Sequence, residues 1–439
     1  MSTNDAAVLR DLAGRYAEYA TGPAMAARRE KWRLHNTRQE KTYPFHIEDN
    51  GRFTADLLPP LVCSDEGHRR LEAVLRRSIL YFEAIDDDRI IPDRFVVDPV
   101  TPMTSYCDEL EFTHATDADG GTFGYETNHP IKDIDADFHK LSKRSISLDV
   151  EQTDRRAEIA RRAFDGLLPV EVGRPSSLYS DGIANKAVHV LGMEALFLEM
   201  AMNPDAVHRL FAHFAEDNLA LGRWEEEHGL LTRNNDGNQG YCSGSSQYGC
   251  RLGPSAASTA GGAAIDSSPA DVASPAGPTA ARATAAGMKS VDRVGYLEAQ
   301  EATGVSPDMF GEFFMPQFQK LAANFRMFKF GCCEPVHDLM PHLQKLPGLF
   351  KVSVTPWCDI RKLADTCNTD IIWSRKPVPL KLCGDAFDEK DFRAHLQETL
   401  DVGADYFIEF IFRDTNRLTG AMVDRLGIAC RIVRELTGA

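Results

Sequence analysis

An α/β fold made of repeated strand and helix units follows from three features of the sequence. The last quarter of the chain alternates short apolar runs with helix-like segments at spacings of roughly 20 to 35 residues. Four successive strand candidates there end in polar or unusual residues. The 439 residues also leave room for about seven or eight such units behind a separate N-terminal stretch. A closed barrel and an open doubly wound sheet both satisfy this pattern.

Residues 1–90 read as a mostly helical extension. In its first segment Leu9, Leu12 and Tyr16 fall on one helical face, and "HRRLEAVLRRSILYF" repeats apolar residues at helical spacing. From 91 to 439 the reading changes to strand and helix alternation. "RFVVD" (94–98), "LLPVEV" (167–172) and "GLLTRN" (229–234) are the early strand candidates. Asn203 before Pro204 and Ser306 before Pro307 mark helix starts, since proline at the first helical position lacks only a donor that would be unpaired anyway. The strongest strand candidates come last: "RMFKF" (326–330), "LFKVSV" (349–354), "TDIIWS" (369–374) and "ADYFIEFIF" (404–412).

One stretch breaks the pattern. Residues 254–287 lack aromatics and nearly lack large aliphatics, so they carry too little apolar surface to offset the entropy of ordering. They read as a flexible surface excursion, either an inserted linker or out-of-frame translation of GC-rich DNA.

With 65 acidic against 49 basic residues the net charge is −16, which disfavours nucleic acid or an anionic membrane as the main partner. The start lacks a signal-peptide pattern and no run is apolar enough to span a bilayer, so a cytoplasmic protein is expected. Ten cysteines are scattered without a CxxC pair, as expected of reduced, mostly buried thiols. Only the adjacent pair Cys332 and Cys333 stands out.

In a βα barrel reactive groups sit at the C-terminal ends of strands. Here those ends read "GCCEP", "TPWCD", "SRKP" and "RDTN", although helix caps such as Asp359, Asp388 and Thr415 belong at the same places. Side chains alternate along a strand, so Cys332 and Cys333 are expected to point apart and Phe330, Cys332 and Glu334 to share a face while the strand lasts. A Cys332 thiolate beside Glu334, with Cys333 and His337 nearby, suits zinc or a nucleophile. Arg375 and Lys376 suit a carboxylate or phosphate, and Arg413 and Asp414 can orient a substrate. The amide- and glycine-rich loop 234–245, with Tyr241, suits ligand closure, and His129 in "YETNHPIKD" completes the substrate-binding candidates. A phosphate-binding Walker loop, HExxH, GxSxG and GxGxxG are all missing from the sequence.

Several phrases resemble the uroporphyrinogen decarboxylase superfamily, in its divergent decarboxylase-like branch. They are "GMEALFLEMAMNPDAVHRLF", "YLEAQEATGVSPDMFGEFFMPQF", "FGCCEPVHDLM", "KVSVTPWCDI" and "SRKPVPLKL", with "EKWRLHNTR" and "HPIKDIDADFHKL" earlier. The resemblance implies a single (β/α)8 TIM barrel with its site at the C-terminal mouth. It also implies one of two chemistries: decarboxylation without a cofactor, or zinc-dependent methyl transfer between a corrinoid protein and a thiol. The H-x-C zinc motif of such methyltransferases reads Phe330-Gly331-Cys332 here, and the later strand end "FIFRDTN" has no cysteine. A metal would therefore draw on a different set, built from Cys332 or Cys333 with Glu334. The "AGRY" at 13–16, shared with an arginine motif of true decarboxylases, lies within the amphipathic first helix and reads as chance.

The leading expectation is corrinoid-linked methyl transfer to or from a thiolate. Cys332, Cys333, Glu334 and Asp414 would be at the reactive centre, and a partner protein would carry the corrinoid. Decarboxylation of uroporphyrinogen or another polycarboxylate, with Asp414 stabilising positive charge, is the alternative. A barrel that binds a corrinoid or metabolite without turnover is the third.

Overall fold

The computed structural model of the chain describes residues 2–48, 52–116, 122–176, 182–238, 244–250 and 288–438. Tyr241 and the excursion at 254–287 lie outside the described residues.

Ten strands are present among the described residues: β1 Phe45–Ile47, β2 Phe95–Val97, β3 Phe112–Thr116, β4 Thr122–Thr127, β5 Val170–Val172, β6 Val294–Leu297, β7 Met327–Phe330, β8 Leu349–Val354, β9 Ile372–Arg375 and β10 Ile408–Phe412. Six form one parallel sheet in the order β1-β10-β9-β8-β7-β6. β2 and β5 make a separate parallel pair, and β3 and β4 an antiparallel hairpin. The fold is thus mixed α/β around a six-stranded parallel sheet, and among the described residues backbone hydrogen bonds do not close the expected barrel.

The edge at β6 is met locally. "GLLTRN" forms a single parallel bridge, Leu231 to Arg174, rather than a strand. Beyond it the Asn234 side chain takes the place of a neighbouring strand: its Nδ2 donates to the Val294 carbonyl at 2.8 Å and its Oδ1 accepts the Val294 N–H at 3.2 Å. A side-chain amide thus satisfies the edge of β6 that another backbone would otherwise have to fill.

Alternation along the sheet separates two environments. Phe328, Phe330, Val352, Val354, Trp373, Phe410 and Phe412 enter the main apolar core with the covering helices. The other face carries polar groups at zero exposure: Lys329, Lys351, Ser374 and Glu409. Lys351 Nζ lies 2.5 Å from Glu409 Oε2, and Lys329 Nζ donates to Ser374 Oγ at 2.7 Å. Burial alone would raise the Glu409 carboxyl, but Lys351 and Lys329 outweigh it and hold the group down at about 2.

The helices Thr3–Thr21 and Glu66–Ala84 pack with Val150–Phe164 around a second core containing Leu9, Leu12, Tyr16, Leu75, Ala157 and Phe164. The first 90 residues also supply β1 to the main sheet. Pro204–Glu227 and Pro307–Phe313 begin where the sequence places them, and Ser306 Oγ accepts the Met309 N–H at 3.2 Å. No helix among the described residues is long and apolar enough to cross a membrane.

Candidate active site

The ends of β6, β7, β9 and β10 bring together Tyr296, Glu298, Cys332, Cys333, Lys376, Arg413 and Asp414. Gly331, directly after β7, sets the geometry. Its φ of 98° lies in the left-handed region, and an added Cβ would meet Ser353 Cβ at 3.1 Å, so glycine is required. This turn ends the alternation of the strand. Cys332 and Cys333 therefore do not point apart as expected: their Sγ atoms lie 3.7 Å from each other.

Glu334 is held by main-chain donors. Its Oε1 accepts the Ala299 N–H and its Oε2 the Cys332 N–H, each at 2.8 Å, which pins the loop after β7 to the loop after β6. The carboxylate is buried, and that burial raises its pKa. With both oxygens committed to backbone donors, Glu334 does not fit the metal-ligand role expected beside Cys332. His337 is also diverted, since its Nδ1 accepts the Asp359 N–H at 3.3 Å. Among the described residues no three His, Cys, Asp or Glu side chains are grouped to hold a metal ion.

The main chain of Cys332 is held as firmly as its neighbour. Its carbonyl accepts from Lys376 Nζ and from Ser353 Oγ, the latter at 3.2 Å. The thiol itself is held far below the ordinary range. The largest cause is a hydrogen bond from Cys333. The Lys376 ammonium, the Tyr296 hydroxyl and the Arg413 guanidinium add to it, against the opposing effect of burial. Cys333 is pushed up in turn, because the thiol that donates to a neighbouring thiolate keeps its proton.

Glu298, at the end of β6, was not among the sequence candidates. Burial, followed by repulsion from Glu334 and Glu301, pushes its carboxyl up to about 8. The mouth therefore pairs a thiolate with a carboxylic acid that keeps its proton at neutral pH. The same end-of-strand logic that selected Cys332 selects Glu298 once "VGYLE" is read as a strand.

The cationic candidates divide by strand parity. Ser374 and Lys376 face the polar side of the sheet, and Arg375 between them faces the helix Glu389–Val402. Its guanidinium donates to the Thr355 carbonyl at 2.5 Å, to the Val354 carbonyl at 3.3 Å and to Thr399 Oγ1 at 3.4 Å. Arg375 is therefore spent on its own scaffold, with burial lowering it to about 10, and is not presented to a substrate at the mouth. Arg413 is at the mouth, with Nε 2.5 Å from Glu48 Oε2. Asp414 beside it is exposed and non-glycine at φ 57°, the kind of backbone strain that concentrates at functional sites.

His129 does not join this group. Also at positive φ (46°), it shares its Nδ1 between Thr127 Oγ1 at 2.9 Å and the His189 carbonyl at 3.1 Å. It lines a neighbouring cavity of about 550 Å³ between β4, the helix Ile183–Leu191 and the turn Gln300–Ala302.

No known family profile and no curated protein matches the chain. Among solved structures it is similar to a methyltransferase from Methanosarcina mazei, with a TM-score of 0.43 and 13% identity over 84% of this chain and 86% of that one. A likeness this distant carries no chemistry to this chain.

Proposed function

We propose that the chain is a methyltransferase whose nucleophile is the Cys332 thiolate. The observation that carries this reading is the stabilised thiolate at the strand ends beside a protonated Glu298. Acyl transfer through a cysteine generally relies on a base for the thiol and donors for an oxyanion. Attack on a methyl carbon needs only a thiolate, a clear line of approach and a leaving group that can accept the electron pair. Here Cys333, Lys376, Tyr296 and Arg413 supply the thiolate without a histidine. In the reaction the Cys332 sulfur forms a bond to the methyl carbon as the carbon to leaving-group bond breaks. The pair departs with the leaving group, and the protonated Glu298 can supply a proton only to a leaving group that needs one, such as an amine or an alkoxide.

The phrases shared with the decarboxylase-like branch support a corrinoid on a partner protein as the methyl source or acceptor; such a group, when bound, supplies methyl as an electrophilic carbon. Zinc is not needed to generate this thiolate, and Glu334 is unsuited to hold it. Decarboxylation of a polycarboxylate draws less support, because Arg375 is bound to main-chain carbonyls and Arg413 to Glu48.

Incubation with methyl donors, followed by mass spectrometry of the peptide carrying residues 332 and 333, tests the reading. A methyl increment on Cys332 that is absent in Cys332→Ser is expected. Turnover that survives Cys332→Ser, or donors consumed with no methyl ever found on the peptide, would sink it.

A further inference from the structure

The cavity beside the mouth has chemistry of its own. Among the described residues its lining includes Glu126 and Glu301 and no lysine or arginine. Glu301 is half-engaged: Oε1 accepts from Asn185 Nδ2 at 2.9 Å, while Oε2 is buried and takes no hydrogen bond from the protein. A buried carboxylate oxygen without a donor is costly unless a ligand or water supplies one. Facing the same space are two rings set at a corner, Tyr125 and His189, with centroids 5.5 Å apart and planes 73° apart. The corner is fixed by hydrogen bonds, since the Tyr125 hydroxyl meets His189 Nε2 at 2.9 Å and the Tyr106 hydroxyl meets Nδ1 at 3.1 Å. Phe112 extends it, its ring centroid 5.1 Å from that of His189. Tyr125 and Phe112 are 50% and 43% exposed, more than packing alone calls for in aromatic side chains.

Negative charge, an unsatisfied carboxylate oxygen and perpendicular aromatic faces in one cavity select a positively charged organic ligand. The Tyr125 ring attracts the cation through its quadrupole, with His189 holding that ring in place, and the carboxylates attract it through charge. An anionic or purely apolar ligand would leave Glu301 uncompensated. We propose that this cavity binds an organic cation of the alkylammonium class, with Glu301 as the charge partner and Tyr125 and His189 as the aromatic walls. The volume of about 550 Å³ accepts a small quaternary ammonium with room for a further substituent. Glu301, which lines the cavity, lies three residues after Glu298 at the end of β6. A methylated ammonium carries an electrophilic methyl and releases a neutral amine with the electron pair. Its use as the donor to Cys332 rests on the thiolate reading, but the binding does not.

The test is calorimetric titration of the full chain with choline and with its neutral analogue, in which carbon replaces the ammonium nitrogen. Choline is expected to bind, the neutral analogue at least about tenfold more weakly, and Glu301→Gln is expected to lose about tenfold in choline affinity at an unchanged melting temperature. Tyr125→Ala, on a half-exposed position, weakens choline binding without unfolding the protein. Cys332→Ser keeps choline binding whatever it does to methyl transfer, which separates the two readings. Equal affinity for choline and the neutral analogue, no choline binding at all, or unchanged choline affinity in folded Glu301→Gln and Tyr125→Ala would overturn the proposal.

Discussion

Two buried polar groups lie on the same face of the same sheet, one within the strands and one at their ends, and they differ in the direction in which their partners push each ionisable side chain. Within the strands, Lys351 and Glu409 are fully buried at 2.5 Å, with Lys329 tied to Ser374 and Lys351 tied again to Ser245 Oγ and the Ser246 carbonyl at 3.0 Å each. Its carboxyl stays ionised through any ordinary pH. At the strand ends, Cys332 is driven towards the thiolate, Glu298 towards the acid, and Cys333 is denied ionisation by its neighbour. The first group is at rest in one protonation state. The second holds an anion and an acid close together near neutral pH, where proton and group transfer become possible. Burial of charge by itself therefore marks neither structure nor catalysis; the direction in which partners push each pKa does.

That contrast can be broken from either side. The largest effect is expected from Glu409→Gln, which leaves Lys351 and Lys329 buried without their anion. It should cost about 3 to 5 kcal/mol of stability by urea unfolding while leaving the Cys332 titration in place. A loss near zero would mean that the interior pair is not the structural element described here. Next is Lys376→Met. Removing a cation disfavours the thiolate, so the pH at which Cys332 becomes reactive should rise, by about 1 to 3 units. Alkylation rates followed across pH would show it, and an unmoved midpoint would assign the low thiol pKa to Cys333, Tyr296 and Arg413 without Lys376. Gly331→Ala forces a side chain into the left-handed region at φ 98° and against Ser353, for a loss of about 1 to 2 kcal/mol. It should also raise the Cys332 pKa by separating the two sulfurs, readable in the same alkylation profile. The smallest expected change is in Glu298→Gln. Because the native carboxyl is protonated below about 8 and loses its proton above, wild-type methyl transfer should decline as pH rises through about 8. The variant should be slower but lack that decline in its rate profile.

Much of the sheet was legible because its strands are short apolar runs ended by turn residues. "LFKVSV" became β8 without adjustment, and "RMFKF", "TDIIWS" and "ADYFIEFIF" contain β7, most of β9 and all of β10. β1 was missed since three residues, one of them His46, leave too little pattern to read. β3 was missed for the opposite reason: all five of its residues are exposed, so nothing apolar alternates. β6 includes Gly295 and a buried Tyr296, and losing it hid Glu298. The closure expected of eight strands is not seen among the described residues, and at one edge the Asn234 side chain bonds Val294, a substitution that residue patterns do not reveal.

The sequence placed several candidate residues at the strand ends but did not give their directions. The thiols, Lys376, Arg413 and Asp414 do gather at the strand ends. Arg375 was misread because one step of parity in a strand decides whether a side chain meets the polar face or the covering helix. Cys332 and Cys333 were expected to diverge because the left-handed turn at Gly331 overrides alternation. Glu334 looked like a ligand until its two oxygens were found on the Ala299 and Cys332 amides.

The most direct measurement of the central claim is the pH profile of iodoacetamide labelling of the wild-type chain, with the modified cysteine located by mass spectrometry. A Cys332 thiol lowered to about 5 should label at nearly the same rate from pH 8 down to about 6 and fall only below that, while Cys333 stays unmodified. A Cys332 rate that drops about tenfold per unit between pH 8 and 6, as for an ordinary thiol of pKa about 8.5, would contradict the thiolate and with it the proposed chemistry.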